Sequence, residues 1–443
     1  MTFPPADRDP GALRFPPGFD FGVATSAHQV EGGTTANTWS AWELGRHPDG
    51  RPTIATGERC GRGADHWARF DADLGLMRWL GIGVYRFSVE WSRIEPLAGQ
   101  LDLAALERYR QWCLDLRAAG ITPMVTLHHF TEPLWTRERG GFEQQATVDA
   151  WVRFVQLCVR RLGDVVDRWV TINEPVAYVS QGWLRGEWPP GRRDPTAAAQ
   201  VLENLLLAHA RAYQVIHAAD RGPRRHQVGL AHNIMPMRPQ RAAHPGDRFV
   251  ARQLDRTYNW AVPDALAGGV LRLRLPGLTF TARHPAVRGT QDFFGLNHYH
   301  RVLVRARPGA AEPVALLPLP GERSDLGWSL EPWTLGATAR AAARYGLPII
   351  VTEHGAADGD TPDVRRRHFL GGSLAALAAA RRDGVDVRGY LHWSLLDNFE
   401  WAHGYSMRMG LFRVDRDDFR RITTSSARFY RDVIAAQAGG GDT

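Results

Sequence analysis

Eight short runs rich in β-branched and aromatic residues recur along the chain, at 21–25, 84–88, 123–127, 169–172, 227–231, 293–296, 348–352 and 387–392. Between them lie segments with apolar residues at helical spacing. From Asp102 to Ala119, Leu103, Leu106, Tyr109, Cys113 and Leu116 share one helix face, and Gly120 stops the pattern just before the next strand. Val148 to Leu162 repeats the signal through Val152, Val155 and Val159. This strand–helix–strand rhythm builds parallel sheets, and eight parallel strands close a barrel. An open doubly wound sheet is the alternative, but such sheets carry a glycine-rich phosphate turn after the first strand, and Gly22-Val23-Ala24 is not one. The expected fold is therefore α/β, a single (β/α)8 TIM barrel over residues 1–443. The stretches 236–288 and 301–333 are read as rim insertions, and the first dozen residues and 438–443 as short tails, the latter disordered.

Composition narrows the chemistry. Of 443 residues, 54 are Lys or Arg and 47 Asp or Glu, a formal charge of +7, and every one of the basic residues is Arg. Without lysine there is no Schiff-base aldolase, no pyridoxal-phosphate enzyme and no P-loop. The arginines are interleaved with acids, as at 365–367 and 420–421, and read as solvated helix faces rather than a nucleic-acid stripe. Cys60, Cys113 and Cys158 are odd in number without ligand spacing, and are read as reduced core residues. The first residues lack a basic and apolar leader pattern, and no run approaches the roughly 18 apolar residues of a membrane span, so a cytoplasmic location is expected.

In a barrel of this kind the site forms where the strands end. Polar and aromatic residues follow nearly every strand: His28, Gln29 and Glu31; Glu90 and Trp91, with Arg86 inside the second strand; His128 and His129; Asn173 and Glu174; Asn297 to His300; Glu353 and His354; then Trp393, Asp397, Asn398, Glu400 and Trp401. Glu174 and Glu353 end the fourth and seventh strands, on opposite sides of the ring. Two facing carboxyls amid amides and tryptophans are the apparatus of glycoside hydrolysis: one protonates the leaving oxygen, the other attacks or activates water at the anomeric carbon. The alternative is a metal-dependent barrel hydrolase using His128, His129, His298 and His300.

These residues resemble family 1 of the glycoside hydrolases, the β-glucosidase and β-galactosidase family, over essentially the whole chain. The resemblance is carried in order by Phe19 to Gly32, Tyr85-Arg86-Phe87-Ser88, Trp91-Ser92-Arg93-Ile94, Thr171-Ile172-Asn173-Glu174-Pro175, Gly295-Leu296-Asn297-His298-Tyr299, Val351-Thr352-Glu353-His354-Gly355 and Trp393 to Trp401. It implies that Glu174 is the acid/base and Glu353 the nucleophile. Asn173 would hold the sugar 2-hydroxyl, Arg86 and Tyr299 would contact the nucleophile, and Asn297 would support the pair. Gln29, His129 and Glu400 would clamp the non-reducing sugar, with Trp393 as its floor, Trp401 as an indole donor and Trp328 against the aglycone.

Three positions depart from the family pattern: His354 for Asn, Phe130 for the Trp of a His-Trp pair, and Met409 for a Phe lining the sugar's C6 region. Phe130 offers no hydrogen-bond donor, which implies a broad glycone range. Glu400 is kept and the Ser-x-Lys-x-Tyr motif of phosphoglycosidases is absent around Ser406-Met407-Arg408, which implies unphosphorylated sugars. The reading is a retaining, exo-acting β-glycosidase of β-D-glucosides, with β-galactosides and β-fucosides as further substrates. It calls for no cofactor, catalytic metal, nucleic-acid partner or membrane, and leaves oligomeric state open. A transglycosidase would share the same intermediate.

Overall fold

The computed structural model describes residues 10–221, 225–275, 277–310 and 312–438. The eight expected strands are β1 (Asp20–Ala24), β2 (Val84–Ser88), β3 (Thr122–Thr126), β4 (Arg168–Asn173), β5 (Gln227–Asn233), β6 (Phe293–Asn297), β7 (Ile349–His354) and β8 (Val387–Trp393). All pair in parallel, and the ring closes through β1 against β8. Both faces of each strand are covered, so β2 and β7 are buried at every position. The barrel interior takes one apolar side chain from each strand: Ala24, Val84, Met124, Val170, Ala231, Phe293, Ile350 and Leu391. The ring of Phe293 occupies space that a Cβ on Gly229 would need, 2.6 Å away.

The main outer helices are α1 (His66–Leu80), α2 (Leu103–Ala118), α3 (Gln145–Leu162), α4 (Pro195–His217), α5 (Pro245–Asp255), α6 (Ala261–Gly268), α7 (Trp333–Ala342), α8 (Val364–Arg382) and α9 (Ser425–Ala438). Asp102 caps α2 by accepting from the Ala105 N–H at 2.9 Å, and Asp194 caps α4 by accepting from Thr196 and Ala197 at 3.0 Å each. The α3 helix starts a turn earlier than the valine spacing suggests, because its first turn buries Thr147, which carries no apolar signal.

The two insertions are ordered and joined. Residues 302–306 form the middle strand of a small sheet, flanked by 314–317 and by 237–239 from the other insertion. A hairpin, 270–275 paired with 278–283, stands beside α6. Of the expected tails, 1–9 and 439–443 lie outside the described residues. The chain just after the first is docked: the Phe15 N–H donates to Gln437 Oε1, and Gln437 Nε2 to the Leu13 carbonyl.

The arginine clusters correct the sequence reading. Arg366 is fully buried and paired with Asp363 at 2.8 Å, and Arg421 grips buried Asp73 at 2.7 Å. Both stitch the C-terminal segment to the barrel, since Asp363 also accepts from the N–H groups of Ser425 and Ser426 at the start of α9. The three cysteines are free and buried, as expected.

Close strand approach gives a stability test. A Cβ on Gly22 would lie 2.3 Å from the Val84 carbonyl oxygen, whereas one on Gly75, an exposed position inside α1, meets nothing within 4 Å. Gly22→Ala should cost roughly 1–3 kcal/mol or more through forced strand separation, and Gly75→Ala should gain about 0.5–1 kcal/mol from helix propensity. Urea midpoints of the two variants, moving in opposite directions, check this.

Candidate active site

Both glutamates stand where the sheet becomes irregular. The β4–β5 pairing shifts register between Val170 and Asn173, and the β7–β6 pairing shifts between Val351 and Glu353. Such bulges re-aim the side chains that follow them. Glu174 takes a left-handed backbone (φ 43°, ψ 59°) at the head of the short helix Pro175–Val179, a conformation costing a non-glycine residue on the order of 1–3 kcal/mol. Phe130 and Trp401 are also left-handed, at φ 69° and 48°. The surrounding packing sustains all three. Glu174 and Glu353 are three steps apart around the ring, with β5 and β6 between them, rather than diametrically opposed.

Arg86 organises the floor between them. Fully buried, it donates from Nη1 to Glu353 Oε1 at 2.6 Å and to the Thr352 carbonyl at 3.1 Å, from Nη2 to Asn173 Oδ1 at 2.7 Å, and from Nε to Thr126 Oγ1 at 3.0 Å. The Tyr299 hydroxyl donates to the other Glu353 oxygen at 2.7 Å. Both oxygens of Glu353 therefore accept a hydrogen bond, one of them from a guanidinium. Thr352 Oγ1 donates to Asn297 Oδ1 at 2.7 Å, which turns the Asn297 amide so that its N–H groups reach Asn173 Oδ1 at 3.1 Å and Glu174 Oε1 at 2.8 Å.

Glu174 has the opposite environment. Burial, and then the negative charge of Glu353, push its carboxyl up to about 8, against hydrogen bonds from Asn297 and Asn233 that lower it. Asn233 Nδ2 donates to Glu174 Oε1 at 3.2 Å, and its own oxygen accepts from Tyr258 at 3.2 Å. Two donors on Oε1 leave Oε2 to carry the proton. The sequence reading missed Asn233 because it ended the fifth strand at Ala231, two residues short of the observed end.

A cavity of about 730 Å³ opens above this floor, lined by both glutamates with His129, Phe130, Tyr299, Trp328, Trp393, Glu400 and Trp401. Asn173 Nδ2 lies 3.2 Å from His129 Nε2. Because Arg86 fixes the Asn173 amide, Nε2 must accept, so the neutral ring carries its proton on Nδ1, which has no partner among the described residues. Burial holds His129 well below its ordinary pKa and so neutral. Gln29 is fully buried and its amide is occupied: Nε2 donates to Asn398 Oδ1, the Phe399 carbonyl and, at 3.3 Å, Glu400 Oε2, while Oε1 accepts from Ser26 at 2.6 Å. Gln29 thus positions Glu400. Burial and the Glu353 charge push Glu400 up to about 7, opposed by hydrogen bonds from Trp393 and Gln29.

Phe130 sits 4.9 Å from Trp188, 5.3 Å from Trp401 and 6.2 Å from Tyr178, ring centre to ring centre. Trp188, on the chain between β4 and α4, also lines the cavity and was not foreseen. Trp328 stacks on His300 at 4.6 Å, at the far side of Tyr299. Met409 is 1% exposed and packs with Trp393 in the cluster that plugs the barrel interior; it is not among the residues lining the cavity. His354 stacks on Phe369 at 4.8 Å and lies 3.0 Å from the Tyr390 hydroxyl, which directs it away from Glu353. The four histidines weighed as metal ligands go to separate partners: His128 to Glu132, His129 to Asn173, His298 to the Ile234 carbonyl and Thr334, and His300 to Trp328. Among the described residues no three or more His, Cys, Asp or Glu side chains converge as a ligand set, and no helix is long and apolar enough to cross a membrane.

Known proteins are similar to this chain along nearly its whole length. Thermostable beta-glucosidase B of Thermobispora bispora is 35% identical over 96% of this chain and 91% of its own length, and beta-glucosidase A of Thermotoga maritima is 31% identical over 95% and 98%. Among solved structures, a beta-glycosidase from Pyrococcus horikoshii superposes with TM-score 0.87 at 35% identity over 96% of each chain. The beta-glucosidase from Thermotoga maritima in complex with glucoimidazole superposes with TM-score 0.87 at 29% identity, over 96% of this chain and 99% of that one. With residues 12–438 also matching the pattern of Glycosyl hydrolase family 1, this chain belongs to that family and is a β-glucosidase-type glycoside hydrolase.

Proposed function

We propose that the protein is a retaining, exo-acting β-glycosidase that cleaves unphosphorylated β-glycosides by double displacement. One observation carries this reading: two carboxyls share one cavity but not their neighbours, Glu353 accepting from the Arg86 guanidinium and the Tyr299 hydroxyl, and Glu174 pushed up to about 8 by burial and the Glu353 charge. Protonated Glu174 gives its proton to the glycosidic oxygen as Glu353 attacks the anomeric carbon. The bond to the aglycone breaks and a glycosyl ester forms on Glu353. Esterification removes the negative charge that helped to raise Glu174, so its proton affinity falls and it can deprotonate the incoming water. That water displaces Glu353 with a second inversion. A retaining mechanism of this kind calls for carboxyl groups roughly 5 to 5.5 Å apart, too close to admit the water of an inverting enzyme.

Chemical rescue tests the assignment. Glu353→Gly should abolish turnover of an aryl β-glucoside, and azide should restore it with an α-glycosyl azide as product, because the small anion enters where the carboxylate was. Glu174→Gly should keep most activity toward good leaving groups once azide is added, with a β-glycosyl azide as product. The same anomer from both variants would overturn the roles.

The pH profile follows from the two raised carboxyls. Glycosylation needs Glu174 protonated, so kcat/KM should fall as pH rises through about 8. Asn233→Ala removes a donor to the charged form and should move that alkaline limb upward. Glu400 accepts sugar hydroxyls best when ionised, so KM should rise as pH falls through about 7. Initial rates across pH 5–10 separate the two limbs.

Glycone selectivity rests on Phe130. His128 is turned to Glu132 at 3.0 Å and does not line the cavity, so it cannot supply the donor that Phe130 lacks. With one neutral hydrogen bond fewer, worth about 0.5–1.5 kcal/mol, fewer buried groups are left unpaired by the wrong sugar, and rejection weakens. β-Glucoside, β-galactoside and β-fucoside should all be hydrolysed, and Phe130→Trp should widen the spread among them. A wild-type preference above about a thousandfold, or about 4 kcal/mol, contradicts this. The Glu400 carboxylate would repel a phosphate at the sugar's far end, so the 6-phospho-β-glucoside should be the slowest substrate of the panel.

A further inference from the structure

The cavity does not end at the two glutamates. It continues past Trp328 and Tyr258 into a second limb between the start of α4, the end of α5, the 270–283 hairpin and the small three-stranded sheet. Pockets of about 300–1,000 Å³ enclose ligands of drug size, and at about 730 Å³ this one far exceeds a single sugar ring. The second limb is lined by Leu202, Met235, Leu254, Leu273, Leu278 and Leu316, among other apolar side chains. Two of its polar side chains are turned to the protein: Thr257 Oγ1 donates to the Arg274 carbonyl at 3.0 Å, and the Tyr258 hydroxyl to Asn233 at 3.2 Å. The charged residues bordering it, Arg185 and Arg323, are exposed, so their charges stand at the solvent side.

The backbone is irregular on two sides of the same limb. Residues 180–185 and 256–260 are π-helical, and both turns contribute lining residues, Leu184 among them from the first and Thr257 with Tyr258 from the second. A π turn pushes an extra residue out of the helix, and such bulges concentrate at binding sites. Here the second turn carries Tyr258, which donates to Asn233 beside Glu174.

We infer that this limb receives the aglycone, and that the preferred substrates are β-glycosides of an extended hydrocarbon group, an alkyl chain or fused ring system, rather than of a second sugar. The inference rests on the β-glycosidase reading above. A sugar in the limb would bury a rim of hydroxyls against leucine and methionine, and each buried polar group without a partner opposes binding. A hydrocarbon loses nothing there and gains with every methylene taken from water.

Binding of uncleavable alkyl β-thioglucosides, read by titration calorimetry below their micelle concentrations, tests this without turnover. From butyl to octyl the affinity should rise roughly threefold per methylene, with an increasingly negative heat-capacity change, and octyl thioglucoside should bind at least tenfold more tightly than cellobiose. Leu278→Asn and Leu316→Asn replace partly solvent-facing residues that the fold can spare, and both should flatten the chain-length slope. A flat slope in the wild type, cellobiose binding as tightly as the octyl compound, or a slope unchanged in both variants overturns the inference. If the slope is flat while aryl β-glucosides are still cleaved, only the aglycone assignment falls. If the slope is present but no aryl β-glucoside is cleaved, the glycosidase reading falls and the apolar limb stands.

Discussion

A single buried cation holds the mouth of the barrel in register. Arg86 lies on β2, yet its guanidinium bonds to Thr126 on β3, Asn173 on β4 and both Thr352 and Glu353 on β7. A guanidinium with no solvent exposure is tolerable only when every donor direction is matched, and removing one partner of such a pair costs about 3–5 kcal/mol because the other charge is left buried. The arrangement therefore has little freedom: Asn173 and Asn297 must present their amides in one orientation. Arg serves here where Lys would not, since its planar fork serves three strands at once.

The different environments of the two glutamates follow from that asymmetry. Glu353 receives the guanidinium and a phenol; Glu174 receives only neutral amides and faces the charge of Glu353. Two identical side chains thus meet different neighbours, and burial together with the Glu353 charge raises Glu174. Glu400 shares the effect, since burial and then the Glu353 charge are the two largest causes of its upward shift. One negative charge at the centre of the cavity thus adds to burial at both of its carboxyl neighbours.

Strain and irregularity gather at the same end of the barrel. The register shifts in β4 and β7, the left-handed backbones of Phe130, Glu174 and Trp401, and the two π-helical turns all lie at or beyond strand ends. The ladder itself, filled by one side chain per strand, is regular enough to carry them. Some polar residues at the strand ends are scaffold rather than site. Glu31 accepts from Tyr109 and pairs with Arg93, and Glu90 caps the short helix at Trp91.

The barrel, its strand positions and the identity of the two glutamates were legible in the sequence, because alternation of strand and helix and polar residues at strand ends are local signals that survive without coordinates. Asn233, Trp188 and Tyr258 were not: the first stood in a strand that ran two residues further than its apolar run, and the others lie on connecting segments whose path no periodicity describes. Met409 and His354 look like site residues by position, but packing turns one into the barrel plug and the other toward Phe369. Sequence order alone determined which chemistry the chain carries. Only the tertiary structure decided that burial and the Glu353 charge raise Glu174 and Glu400, and which residues line the cavity, since both depend on burial and on charges brought together from residues 86, 174, 353 and 400.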